Sequence, residues 1–172
     1  MSKTIYFIDM DGVLARYERH AYDPSKGPAP NVALYEHEDS HYFATCEADN
    51  NAVSLLKSLL ANPDAEVYVL THVAPHIPWA SDDKREWLLQ IVPVLDTATQ
   101  LIIADSDKAE TIMVREKLKG LNRNMVLIDD YNKNLNDWRD AGGTAIKYLN
   151  GINSSNSWDG LIIDGRIPGL RF

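Results

Sequence analysis

A short apolar run near the start of the chain ends abruptly in two carboxylates. Residues 4–14 read Thr-Ile-Tyr-Phe-Ile-Asp-Met-Asp-Gly-Val-Leu, so one residue separates Asp9 from Asp11 and Gly12 follows directly. An apolar run of this kind is typical of a strand buried on both faces, as in a parallel sheet. Such a strand can end in two acids only if something neutralises them, because unpaired buried charge is costly. The pattern therefore predicts a ligand site at the carboxyl end of this strand, with a cation such as Mg²⁺ as the counter-charge.

The rest of the chain alternates between strand-like and helix-like segments. We predict strands at Thr4–Asp9, Glu66–Thr71, Gln100–Ala104, Met125–Asp129 and Thr144–Tyr148. Helices are predicted at Asn51–Ala61, Ser81–Val92, Lys108–Leu118 and Asn132–Ala141. This alternation predicts an α/β fold of Rossmann-like type, with a parallel sheet and helices on both faces. The length of 172 residues suits one domain, so we expect residues 1–172 to form a single unit.

Two segments interrupt the alternation. Residues 15–47 carry prolines at positions 24, 28 and 30, which exclude a long helix, and an insertion of this length after the first strand predicts a small lid or cap. The tail at residues 154–172 contains Leu161-Ile-Ile between glycines, which predicts an extra edge strand or a hairpin.

The side chains of the insertion leave two questions open. His37 and His41 have a spacing that a transition-metal site could use, although a solvated lid segment is the better interpretation. The aromatic residues could stack on a substrate or form the core of the lid, and they are Tyr17, Tyr22, Tyr35, Tyr42 and Phe43.

Composition excludes several classes of partner. The formal charge of −8 disfavours a long nucleic acid, although it allows a small phosphorylated substrate held by a few cations. No apolar stretch reaches the ~20 residues that cross a bilayer, so no membrane contact is expected. Cys46 is the only cysteine, which favours a cytoplasmic location.

Reactive side chains stand at the carboxyl ends of four predicted strands. In strand order they are Asp9 and Asp11, then Thr71, then Lys108, then Asp129 and Asp130. Because these ends meet at one edge of a parallel sheet, the residues should converge there. Carboxylates, a hydroxyl and a cation together supply what phosphoryl transfer through an aspartyl phosphate requires.

With these motifs, residues 3 to about 153 resemble the haloacid dehalogenase-like superfamily of phosphohydrolases. Asp-Met-Asp-Gly-Val at 9–13 matches motif I, Val-Leu-Thr-His at 69–72 matches motif II, Lys108 matches motif III, and Leu-Ile-Asp-Asp at 127–130 matches motif IV. Residues 43–71 and the run Asp-Asp-Tyr-Asn-Lys-Asn-Leu at 129–135 are similar to the 5'(3')-deoxyribonucleotidases.

The resemblance and the chemistry together imply roles for these residues. Asp9 would be the nucleophile, and Asp11 would protonate the leaving alkoxide and later deprotonate water. Thr71 and Lys108 would bind the phosphoryl group. Lys84 also lies near a predicted helix start and is the alternative to Lys108 as the motif cation.

The magnesium ligands implied are Asp9, Asp11 and Asp129, with Asp130 in support. Met10 would contribute its backbone carbonyl. Since the second acid of motif I is absent from dehalogenase members of the superfamily, halide displacement is not expected here.

The sequence therefore predicts a Mg²⁺-dependent phosphatase acting on a small phosphate monoester such as a (deoxy)ribonucleoside monophosphate. The alternative is a binding or regulatory protein of the same fold with little catalytic activity, because residues 15–47 are shorter than the helical cap of the nucleotidases. The oligomeric state is left open.

Overall fold

The computed structural model describes residues 3–17, 36–151 and 157–167. Its strands are β1 (Thr4–Ile8), β2 (Ala65–His72), β3 (Leu101–Ala104), β4 (Met125–Asp129), β5 (Thr144–Leu149) and β6 (Leu161–Asp164). They form one six-stranded sheet in the order β3-β2-β1-β4-β5-β6, and each neighbouring pair is parallel. The predicted parallel sheet is therefore confirmed, and β1 lies in its interior between β2 and β4.

Helices cover both faces of this sheet. They are α1 (Tyr42–Thr45), α2 (Asn50–Leu60), α3 (Ala80–Ile91), α4 (Lys108–Arg115) and α5 (Asn132–Asp140). Successive side chains of β1 point to opposite faces. Ile8 belongs to a core with Leu56 of α2 and Leu88 of α3, whereas Phe7 packs with Trp138 of α5 on the other face. The predicted α/β class is thus confirmed.

The tail contributes an edge strand and not a hairpin. β6 pairs with β5 in parallel, with Leu161 opposite Ile146. A parallel pair cannot be joined by a tight hairpin turn, so this part of the tail completes the sheet instead of folding back on itself. Residues 154–156 and 168–172 of the predicted tail lie outside the described residues.

Part of the insertion forms a small aromatic core. The three prolines, Tyr22 and Tyr35 lie outside the described residues, but 36–47 form a 3-10 turn and α1. Phe43 is buried, with the Tyr17 ring stacked at 5.9 Å and the Tyr42 ring edge-on at 5.4 Å between centroids. These three aromatic residues therefore pack on one another, and their part in a lid or in substrate binding stays a prediction. Among the helices described, none is long and apolar enough to cross a membrane.

Candidate active site

The carboxyl ends of β1 and β4 bring three acids together. Asp9 follows β1, and its backbone N–H donates to the carbonyl of Ile128 at 2.9 Å, which extends the ladder by one residue. Asp129 ends β4 and Asp130 follows it. All three acids are buried, and one oxygen of each lies within 4.8 Å of the others. The predicted convergence of these strand ends is what the structure shows.

Lys108 joins two of these acids. It is the first residue of α4, which Asp107 caps by accepting from the N–H groups of Ala109 and Glu110. Its Nζ lies 2.7 Å from Oδ1 of Asp9 and 2.7 Å from Oδ2 of Asp129. Burial disfavours the ammonium, but Asp129 and Asp9 outweigh it and raise the pKa of Lys108 above its usual value. Lys108 is therefore a fixed positive charge between two strand ends.

Burial and the neighbouring acids act together on the pKa of Asp9. Burial is the largest cause and raises the pKa of Asp9 well above its ordinary value. Lys108 lowers this pKa, whereas Asp129, Asp130 and Asp11 each raise it. Lys108 therefore only partly offsets the effects of burial and of the other acids on Asp9.

Backbone and amide donors hold the two carboxylates in place. Oδ1 of Asp9 accepts from the N–H of Met10 at 2.8 Å. Oδ1 of Asp129 accepts from the N–H of Tyr131 at 2.8 Å, and its Oδ2 accepts from Nδ2 of Asn134 at 3.0 Å. Asn134 is not among the residues predicted from the sequence, although its position in the first turn of the helix after motif IV is a signal for it.

Gly12 makes room for the third acid. Its φ of +85° is strained for any residue with a side chain, and a Cβ there would lie 2.2 Å from Oδ2 of Asp130. Its carbonyl accepts from Nδ2 of Asn150 at 2.5 Å, which ties the turn to the end of β5. Asn150 was also missed by the sequence analysis, and only its position after a strand end hints at it.

A second cluster surrounds Lys84 on α3. This fully buried lysine donates to Oδ2 of Asp11 at 2.6 Å, to Oγ1 of Thr71 at 2.8 Å and to the carbonyl of His72 at 2.6 Å. Burial lowers the pKa of His72, and the charges of Lys84 and Lys108 lower it further. The structure therefore brings Asp11 and Thr71 together as predicted, but on Lys84.

The three-acid group differs from the predicted metal ligands in one member. Asp11 was predicted as a ligand beside Asp9 and Asp129, whereas the structure groups Asp130 with them. Asp11 stands apart because Lys84 holds its Oδ2. The Met10 carbonyl, also expected to bind the metal, accepts from the N–H groups of Ala15 at 2.8 Å and Val13 at 3.3 Å, so the turn uses it instead.

The donor set suits a hard divalent cation. Three buried carboxylates offer the oxygen ligands that Mg²⁺ prefers. Lys147 on β5 is also buried, and it donates to Oδ1 of Asn132 at 2.5 Å. The negative charges of Asp130 and Asp129 also stabilise its ammonium group. The residues therefore fit a magnesium site at this edge of the sheet.

Among the described residues, His37 and His41 do not form a second metal site. The ring of His41 contacts Oδ1 of Asp83 at 3.1 Å, and His37 is exposed. Across the described ranges, the only group of three or more potential ligands contains neither histidine.

Comparison with known proteins yields no family assignment. No protein-family model matches the chain, and no curated protein sequence matches it significantly. The site must therefore be interpreted from its own residues.

Proposed function

We propose that this protein is a Mg²⁺-dependent phosphatase of the haloacid dehalogenase-like type that acts through an aspartyl phosphate. One observation carries the proposal: the two acids of the first motif have different partners. Asp9 lies with Lys108, Asp129 and Asp130, whereas Asp11 lies with Lys84 and Thr71. Two carboxylates in different surroundings suit two different tasks, a nucleophile and an acid/base.

In the first step, the carboxylate of Asp9 attacks phosphorus and the ester P–O bond breaks. The proton on Asp11 passes to the departing oxygen, so the product leaves as a neutral alcohol and Asp9 carries the phosphoryl group. In the second step, water attacks phosphorus, Asp11 takes a proton from it, and the bond between phosphorus and Asp9 breaks. Inorganic phosphate leaves, and both acids return to their starting forms.

Thr71 and Lys108 would bind the phosphoryl oxygens during both steps. Thr71 is fully buried at the end of β2, and Lys108 lies beside the attacking carboxylate at 2.7 Å. Donors held in place before reaction stabilise developing charge without reorganisation. Asp9, Asp129 and Asp130 would hold Mg²⁺, which supplies positive charge for a substrate that is itself an anion.

The charges around the site support the proposal that a further cation takes part. Four carboxylates face three ammonium groups, the acids being Asp9, Asp11, Asp129 and Asp130 and the bases Lys84, Lys108 and Lys147. When all are ionised, one net negative charge remains. A phosphate monoester would bind such a site poorly without an additional cation, because like charges repel.

The substrate class we propose is a small phosphate monoester, with a (deoxy)ribonucleoside monophosphate as its leading member. The acidic balance of the chain argues against a long polyanion. The described part of the insertion adds only the small cluster around Phe43 beside the site, so it does not by itself define a base pocket.

The test is hydrolysis of an aryl phosphate with Mg²⁺ and with EDTA. Wild type should turn the ester over only with Mg²⁺, and Asp9→Asn should be inactive because an amide cannot form the aspartyl phosphate. Asp64→Asn is the matched control, since Asp64 is exposed next to the opposite end of β2. A panel of nucleoside monophosphates and sugar phosphates then identifies the substrate. Metal-independent turnover, or turnover that survives Asp9→Asn, contradicts the proposal, and phosphate binding without turnover would favour a binding protein.

A further inference from the structure

Lys84 is a fully enclosed lysine beside the site. It lies in the first half of α3 with an exposed fraction of 0%. Lysine is almost never fully buried unless its ammonium is paired. Here the three hydrogen bonds to Asp11, Thr71 and His72, at 2.6–2.8 Å, provide that pairing.

These contacts use every hydrogen of the ammonium group. An ammonium has three N–H donors and no acceptor, and Lys84 has three acceptors. It therefore has no donor left for a phosphoryl oxygen. Lys108 contacts two carboxylate oxygens among the described residues, which leaves one N–H for the phosphoryl group. The two lysines are thus suited to different tasks.

The hydrogen bonds from Lys84 leave particular atoms of Asp11 and Thr71 available to a substrate. Oδ2 of Asp11 accepts from Lys84, whereas Oδ1 is the one buried side-chain polar atom of the described residues that lacks a hydrogen-bond partner, so Oδ1 is the oxygen left to exchange a proton. Oγ1 of Thr71 likewise accepts from Lys84. Its own hydrogen must therefore point away from the lysine, toward another acceptor.

We propose that Lys84 is a positioning residue that presents Oδ1 of Asp11 to the leaving oxygen and the hydroxyl hydrogen of Thr71 to the phosphoryl group. This inference rests on the proposed phosphatase function and names the atoms that act in it. Proton transfer needs the donor within hydrogen-bond reach of the leaving oxygen, so a rotated Asp11 carboxylate would lose its effect.

The insertion after β1 encloses this arrangement. Nζ of Lys84 lies 4.9 Å from the centroid of the Phe43 ring, which is itself buried. The contact between His41 and Asp83 joins the insertion to the residue preceding Lys84. A cation over an aromatic face is stabilised, and the ring keeps water from competing for the ammonium. One role of residues 36–47 is thus to hold Lys84 on its three acceptors.

The test compares leaving groups in Lys84→Met. Dinitrophenoxide leaves without a proton, whereas the alkoxide of a deoxyribonucleoside monophosphate needs one from Asp11. We expect kcat/KM for the nucleotide to fall about 100-fold and kcat/KM for dinitrophenyl phosphate to fall less than about tenfold. Lys57→Met, an exposed lysine on α2, should change neither. Equal losses for both esters, or no loss, would overturn the positioning role. If the wild-type protein hydrolyses neither ester with Mg²⁺, the proposed function is overturned, and this inference with it.

A second variant keeps the inference testable should Lys84→Met fail to fold. Asp11→Asn combined with Lys84→Met removes both charges of the pair, so no unpaired buried charge remains. Residues that act through one another show non-additive effects. The double variant should therefore lose less than about tenfold in kcat/KM for the nucleotide relative to Asp11→Asn alone. A further loss near 100-fold would show that Lys84 acts independently of Asp11.

Discussion

Replacing Lys108 by methionine should destabilise the metal-free protein more than the same change at Lys133, the other lysine on α4 and α5. The ammonium bridges Asp9 and Asp129 at 2.7 Å each, with an exposed side-chain fraction of 4%. Methionine keeps most of the volume but removes the charge, so both carboxylates lose their buried counter-ion. The expected loss of stability is therefore electrostatic, because packing changes little.

The magnitude follows from the partners that remain. Removing one member of a buried ion pair typically costs about 3–5 kcal/mol. Here Met10 still donates to Asp9, and Tyr131 and Asn134 still donate to Asp129, so we expect the lower end of this range. A loss of about 3 kcal/mol corresponds to a fall in Tm of about 6–12 °C for a chain of this length.

The loss should depend on pH, with a definite sign. Burial raises the pKa of Asp9 in the folded state above its unfolded value, and Lys108 lowers it, so the variant should raise it further. A group whose folded pKa is raised binds more protons when folded, so stability falls as pH rises through that folded pKa. At low pH a protonated Asp9 needs no counter-ion. The difference between variant and wild type should therefore be largest near about pH 8 and smaller near about pH 5.

Thermal unfolding at both pH values, with EDTA and with Mg²⁺, measures this effect. Mg²⁺ bound by the folded state should recover part of the lost stability, because it supplies the missing positive charge. Lys133→Met is the control, since Lys133 is exposed on α5 and pairs with Asp137 at the surface. A loss below about 1 kcal/mol, or one that is equal at both pH values, would refute the electrostatic account of this site.

Two further outcomes follow from single residues. Gly12→Ala should lower Tm and weaken Mg²⁺ binding, because the left-handed φ and the distance of 2.2 Å from a Cβ to Oδ2 of Asp130 both oppose a side chain there. Calorimetry measures the Mg²⁺ affinity, and a wild-type value would contradict the placement of Asp130. Burial, aided by the charge of Asp11, raises the pKa of Cys46 to about 12. At about pH 8, iodoacetamide should therefore label Cys46 far more slowly in the native protein than in the unfolded protein. Equal labelling rates by mass spectrometry would show that this thiol is accessible and ionised.

The local pattern of apolar and polar residues along the chain was sufficient to predict the fold and most of the residues at the strand ends. The apolar run through Phe7 and the strand–helix alternation indicate a parallel sheet, and every carboxyl end of such a sheet lies at the same edge. Asp9, Asp129 and Lys108 therefore meet as the sequence predicts. Residues 18–35, the larger part of the insertion, lie outside the described residues, so its role as a lid stays a prediction.

Only the tertiary structure shows how the side chains are divided between the two clusters. Lys84 lies 73 positions from Asp11 along the chain, and Asn150 lies 138 positions from Gly12, so no local period relates either pair. The choice of Asp130 over Asp11 as the third acid depends on where each carboxylate finds a donor. Periodicity determines which face or strand end a residue occupies, whereas the partner of a buried charge depends on side chains that folding brings in from elsewhere. The sequence alone thus determined the sheet and the acids at the end of β1, and the packing of α3 and α4 decided which lysine each acid meets.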